Sequence, residues 1–233
     1  MKVEILADAD AVAVRAAKWL ADAAREAVAS RGRFALAVSG GHTPWQMLRA
    51  LAEERVPWAS VHLFQVDERV APAGDPDRNL THIRESLLGR VDLPPGNLHA
   101  MPVEASDLGA AASRYARELE GVAGRPPVLD VVHLGLGPDG HTASLVPGDP
   151  VLDVTAADVA LTGTYSGRRR MTLTFPVLDR ARAILWVATG AEKAPMLPRL
   201  AAGDRVIPAG RVRADGALLI ADRAAAAGLP ARR

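Results

Sequence analysis

The sequence predicts an α/β protein with a mostly parallel sheet covered by helices on both faces, folded as one domain over residues 1–233. Short apolar runs bounded by glycines alternate with longer stretches of helical periodicity, which is the pattern of strand–helix units. The best runs, such as Phe34-Ala35-Leu36-Ala37-Val38, are apolar throughout, as strands buried on both faces are. At 233 residues the chain can bury a large core, and no repeat, low-complexity linker or composition break divides it.

The elements follow in order. Val12, Ala16, Trp19, Leu20, Ala23 and Ala27 recur at helical spacing, which predicts an amphipathic helix over about 8–30. The strand at 34–38 follows Gly32. Thr43 as N-cap and Pro44 at the first helical position predict a helix over 44–54. Residues 61–66 read as a second strand, followed by a loop and a helix near 79–88. A helix near 106–122 leads into a strand at 128–134. Further strands are expected at 171–175 and 184–188, a helix within 191–202, and a last strand at 217–220.

Composition narrows the chemistry. Lysine and arginine number 28 against 27 acidic residues, so the chain lacks the basic excess of a nucleic-acid or membrane-surface protein. With no cysteine there is no disulfide, thiol nucleophile or thiolate metal site. The first residues lack a secretory signal pattern, and no apolar run approaches the roughly 20 residues that span a bilayer. A cytoplasmic location is expected.

In open parallel sheets, ligands bind beyond the carboxyl ends of the strands. Four predicted strand ends carry unusual residues. Ser39-Gly40-Gly41-His42-Thr43 offers free amides ahead of a helix, an arrangement that either cradles phosphate or simply forms a capped turn. Asp67-Glu68-Arg69 places three consecutive charges where burial is costly unless they are paired or solvated. Gly135-Leu136-Gly137-Pro138-Asp139-Gly140-His141 delivers an aspartate and a histidine from a glycine turn, and histidine can trade protons near neutral pH. Lys193, after Gly190, is expected in the first turn of a helix, where it opposes the macrodipole; an anionic ligand would reverse that balance, and taken alone the position reads as an exposed lysine. The run at 168–170 is a further anion candidate. His133, inside a strand, reads as buried and hydrogen-bonded.

Three other chemistries fit poorly. Gly135-x-Gly137-x-x-Gly140 matches the dinucleotide fingerprint by letter, but Pro138 sits inside the turn and Pro147 ends any following helix after about two turns. His141 and Asp139 lack further ligands at metal-binding spacing. No Gly-x-Ser-x-Gly nucleophile elbow is present.

Taken together, the motifs resemble the 6-phosphogluconolactonase family over nearly the whole chain. The resemblance rests on Ser39-Gly40-Gly41-x-Thr43-Pro44, on Asp67-Glu68-Arg69 with Asn79, and on the run from Gly135 to Leu145. Arg170-Met171-Thr172-Leu173-Thr174 and Gly190-x-x-Lys193 complete it. It implies a Rossmann-like fold, no metal or organic cofactor, and hydrolysis of 6-phosphogluconolactone in the oxidative pentose phosphate pathway. His141 would be the base that activates water, oriented by Asp139 or by a carboxylate at Asp67 or Glu68. The oxyanion would be met by Arg69 or by backbone amides. The substrate phosphate would rest on Ser39, Gly40, Gly41, Thr43, Arg170 and Lys193, with Asn79 and Gly137 beside the sugar. A small-molecule substrate and a monomer or small homo-oligomer are expected. His42 stands where the family usually has a small hydroxyl residue, and Arg78 where serine is common. The related aminosugar-phosphate deaminases carry a glutamate at the position of Val146, which cannot move protons. A non-catalytic sugar-phosphate sensor would need the phosphate cradle but no base.

Overall fold

The computed structural model describes residues 1–230. Seven parallel strands form the main sheet: β1 (Lys2–Leu6), β2 (Phe34–Val38), β3 (Val61–Gln65), β5 (Leu98–His99), β6 (Val131–Leu134), β9 (Ala183–Ala188) and β10 (Ala217–Asp222). Their order is β1-β10-β9-β6-β2-β3-β5. The chain leaves β2 outward through β3 and β5, then returns to β6 and proceeds the other way. The sheet's topological switch therefore lies between β2 and β6, where a crevice opens beyond the strand ends.

Alternation along each strand builds two cores. Leu36 and Val38 of β2 face one core with Leu63, Val131, Leu185 and Ile220, while Ala35 and Ala37 face the other with Phe64, Val132, Trp186 and Leu219. The first core is closed by α1 (Ala9–Arg31) and α2 (His42–Ala52); α4 (Leu108–Ala123) packs on the second. Asp8 caps α1 by accepting from the Ala11 amide at 2.9 Å, and Gly32 ends it in the left-handed conformation. The expected sheet covered on both faces is what forms.

Five local expectations change. β1 was unanticipated, because its five residues mix Lys2 and Glu4 with apolar ones at the sheet's edge. Residues 67–69 are a strand, β4 (Asp67–Arg69), which joins β7 (Val159–Leu161) and β8 (Arg170–Leu173) in a separate antiparallel sheet ordered β4-β8-β7. The strand expected at 171–175 thus belongs outside the main sheet, and Phe175 already opens α5 (Phe175–Arg180). The cap of α2 is Gly41 rather than Thr43, with no side-chain cap bond, so Pro44 is the third helical residue. Finally, 191–193 is a short 3-10 turn, and α6 (Leu197–Ala201) starts later because Pro195 and Pro198 are tolerated only at or before a helix's first turn. The remaining helices are α3 (Asn79–Ile83), continued by a π turn to Leu88, and α7 (Pro208–Arg211). No described helix is long and apolar enough to cross a membrane.

Candidate active site

A cleft of about 270 Å³ opens at the switch point, lined from the ends of β2, β6 and β9 and from the antiparallel sheet. It collects Ser39, Gly40, Gly41, Thr43, Asp67, Arg69, Asn79, Gly137, His141, Arg170 and Lys193. Of the expected site residues, only Asp139 and Glu68 stand behind its wall.

His141 reaches the cleft from a turn with no helix after it, which removes the dinucleotide reading of the glycines. Its Nδ1 lies 2.5 Å from Asp139 Oδ1, and its backbone amide donates to the same oxygen at 3.1 Å. Nδ1–H is therefore the donor, and Nε2, with no partner among the described residues, presents its lone pair to the cleft. Asp139, not Asp67 or Glu68, orients the ring. Burial alone would raise the Asp139 carboxyl, but the amide and imidazole of His141 and the Tyr165 hydroxyl together hold it below the usual carboxylate range. Gly137 is required here, because a Cβ would sit 2.1 Å from His141 Nδ1. Just beyond, Ala143 adopts φ +49°, a strained turn that sends Ser144 inward.

The charged triplet divides by strand alternation. Asp67 and Arg69 point to the cleft and Glu68 points away. Asp67 accepts from Ser144 Oγ at 2.6 Å and from Asn79 Nδ2 at 3.3 Å, while Arg69 is held by Asn79 Oδ1 and the Asp77 carbonyl. Glu68 is fully buried and accepts from the amides of Arg69, Asn79 and Leu80 and from Gln65 Nε2, each at 2.8 Å. It also pairs with buried Arg78 at 3.2 Å. Glu68, expected among the catalytic residues, instead has every lone pair engaged in fixing α3 to β4, with buried Arg78 balancing its charge.

Beside that strand the cleft is cationic. Arg170 is 6% exposed, yet its guanidinium makes no ion pair or hydrogen bond among the described residues, and Nε is buried without a partner. Burial and nearby Arg69 push its pKa down from the ordinary arginine value. A buried arginine left unpaired is expensive unless an anion joins it. Arg168 is excluded from that task by its bonds to Asp77 at 2.8 Å and Asp75 at 3.1 Å, and exposed Arg169 does not line the cleft. Lys193 Nζ is 3.7 Å from Glu192, a loose contact at the cleft's rim. The leading amides of α2, at Gly41, His42 and Thr43, have no intrahelical acceptor. Thr43 Oγ1 lies 2.5 Å from Thr189 Oγ1, pinning α2 to the end of β9. Ser39 Oγ donates to the His133 carbonyl at 3.0 Å, so its hydroxyl joins β2 to β6 and is not free for ligand. His42 is exposed at the cleft's edge. A Cβ on Gly40 would lie 1.8 Å from Asn79 Oδ1, so the loop must carry glycine there.

Sequence reasoning missed Ser144, Thr172, Tyr165 and Thr189. Ser144 and Thr172 fall inside motifs already singled out, and the Ser144 amide donates to Thr172 Oγ1 at 3.2 Å. Nothing local marks Tyr165, which reaches the site only through the β7–β8 hairpin.

Comparison with known proteins agrees with this geometry. The family model for glucosamine-6-phosphate isomerases/6-phosphogluconolactonase matches residues 7–220. A 6-phosphogluconolactonase of Nostoc sp. is 35% identical, covering 97% of this chain and 98% of that protein. Another, of Mycobacterium tuberculosis, is 38% identical over 98% of both. The crystal structure of 6-phosphogluconolactonase from Thermotoga maritima superposes with a TM-score of 0.84 at 26% identity, covering 95% of this chain and 98% of that one. The Trypanosoma brucei 6-phosphogluconolactonase gives 0.84 at 26% identity over 98% of both chains. The chain therefore belongs to the glucosamine-6-phosphate isomerase/6-phosphogluconolactonase family.

Proposed function

We propose that this chain hydrolyses 6-phospho-D-glucono-1,5-lactone to 6-phosphogluconate, with His141 as the general base. Its relatives of 35–38% identity carry the name 6-phosphogluconolactonase. The observation that carries the mechanism is the pairing, in one cleft, of a histidine with a free Nε2 and a buried arginine with no counter-ion. The first can take a proton from water near neutral pH, and the second awaits an anion.

The phosphate rests on Arg170, Lys193 and the amides of Gly40 and Gly41, which turns the lactone carbonyl toward His141. Nε2 removes a proton from water as the water oxygen bonds to the carbonyl carbon. Asp139 stabilises the imidazolium that results. Negative charge gathers on the former carbonyl oxygen, where Arg69, held by Asn79, can meet it. Collapse of the intermediate breaks the ring C–O bond, and the imidazolium returns its proton to the departing ring oxygen. Glu68 and Ser39 support this arrangement without touching the substrate.

The test is hydrolysis of freshly made 6-phosphogluconolactone, followed faster than its spontaneous decay. Turnover by the wild-type chain and its loss in His141→Ala are expected; equal turnover in the two would sink the mechanism. Glucosamine 6-phosphate serves as the parallel substrate. Val146, buried and apolar where a deaminase needs a proton carrier, predicts no ammonia release.

A further inference from the structure

We propose that Tyr165 is a positioning residue that braces the base and the anion-binding arginine together, through its hydroxyl on Asp139 and its ring between His141 and Arg170. The Tyr165 hydroxyl donates to Asp139 Oδ2 at 3.2 Å, the oxygen that His141 leaves free. Both carboxylate oxygens are then engaged, so the carboxylate cannot rotate and the imidazole it holds keeps one orientation. The His141 ring meets the Tyr165 ring edge-on, with centroids 5.5 Å apart at 67°. The Arg170 guanidinium carbon stands 4.9 Å from the centroid of the same ring. A ring face holds a guanidinium without cancelling its charge, as a carboxylate would, so Arg170 stays available to a ligand.

The hairpin that supplies Tyr165 is built to be rigid. Tyr165 and Arg168 exchange backbone hydrogen bonds at 2.9 and 3.3 Å around Ser166 and Gly167, whose φ values are +50° and +77°. That is the two-residue turn whose twist matches paired strands. Arg168 then clamps the turn to the 75–77 loop through Asp75 and Asp77. The backbone of Tyr165 is thereby anchored by contacts that involve neither His141 nor Arg170. Besides Asp139 behind its wall, the titratable and charged groups lining the cleft around His141 are His42, Asp67, Arg69, Arg170, Glu192 and Lys193.

This role rests on His141 acting as the base, but part of its test does not. In Tyr165→Phe the ring contacts persist and the hydroxyl is lost. We expect kcat to fall about three- to tenfold, the rate equivalent of one hydrogen bond, with KM held within about twofold. Freed of that donor, Asp139 stabilises imidazolium better, so the acid limb of the rate profile moves to higher pH. Imidazole NMR of the free protein must show the same upward displacement for His141, whatever substrate the enzyme uses. Tyr165→Leu removes the ring as well, and KM should then rise about fivefold or more through Arg170. Melting temperature reports the folding of each variant. If Tyr165→Leu does not fold, the NMR titration and pH profile of Tyr165→Phe decide alone. An unshifted His141 titration with unchanged kcat in Tyr165→Phe would overturn the proposal, as would a Leu variant indistinguishable from the Phe variant. A shifted titration without lactone hydrolysis by the wild type would leave Tyr165 in place and remove the lactonase reading instead.

Discussion

At the scale of single residues, the proposed mechanism divides the work between His141 and Arg170, and the two should fail differently. His141→Ala removes the group that takes the proton, so kcat should drop by about 10²–10⁴ with KM little changed. Steady-state kinetics on fresh lactone, corrected for spontaneous decay, checks it. Arg170→Gln and Lys193→Ala remove cations that hold the phosphate in ground and transition states alike. Each should raise KM more than it lowers kcat, and the effect should be larger for Arg170, which is buried where Lys193 is at the rim. An unaltered KM in both would move the phosphate to another part of the cleft. His141 and Lys193 were legible in the sequence through their motifs, a titratable ring after a glycine turn and Gly190-x-x-Lys193 after a strand, although Lys193 falls in a 3-10 turn and not at the helix start expected of it. Tyr165 was not legible. Its partners Asp139 and His141 lie 26 and 24 residues away, on the turn after β6, and no local pattern of a loop tyrosine encodes that meeting.

Among the elements, the short antiparallel sheet matters most, because it brings Asp67, Arg69 and Arg170 to the cleft. Its three-residue strand β4 places Asp67 and Arg69 on one side and Glu68 on the other. Glu68→Gln would leave Arg78 buried beside a neutral partner and weaken the anchoring of α3. A loss of about 3 kcal/mol is expected, since an amide cannot accept every bond the carboxylate takes from the Arg69, Asn79 and Leu80 amides, while Arg78 keeps only its pair with Glu104, and urea denaturation measures it. The loss of activity should follow the loss of fold, whereas a variant stable yet inactive would return Glu68 to the chemistry. The glycine turns give the complementary case. In Gly137→Ala the new methyl group must displace the partly exposed ring of His141, the far end of a side chain, so activity should fall at least tenfold with little change in melting temperature. Residues 67–69 read as loop because three charges in a row are usually solvated. Only pairing with β8, Asp67 opposite Thr172 and Arg69 opposite Arg170, makes them a strand.

For the whole molecule, the buried histidines tie stability to pH. Burial pushes His133 down to about 3, and its Nδ1 accepts from the Ser39 amide at 3.3 Å, so it is neutral in the folded state. The unfolded chain takes up that proton below about pH 6.5, so stability is complete above that value and declines as pH falls toward 3. His133 alone contributes a slope of about 1.4 kcal/mol per pH unit in that window. Burial and neighbouring His62 lower His99 to about 4, which adds to the same decline. Urea midpoints measured between about pH 7.5 and 5 should fall, and less steeply in His133→Asn, which keeps an acceptor for Ser39 but has no proton to bind. Equal slopes in the two proteins would remove His133 from the account.

The sequence by itself determined the alternation of buried strands and amphipathic helices, and with it a parallel sheet and a crevice at its carboxyl edge. It also determined which strand ends carry chemistry, because glycine, histidine and charge at those points violate what burial alone would select. Tertiary structure decided which of those residues face the ligand and which hold the others in place. Glu68 turned inward, Arg168 was claimed by Asp75 and Asp77, Arg170 was left without a counter-ion, and Tyr165 was brought between His141 and Arg170. Periodicity is a local property that sequence displays, whereas the partner of a charge is fixed only when distant segments pack.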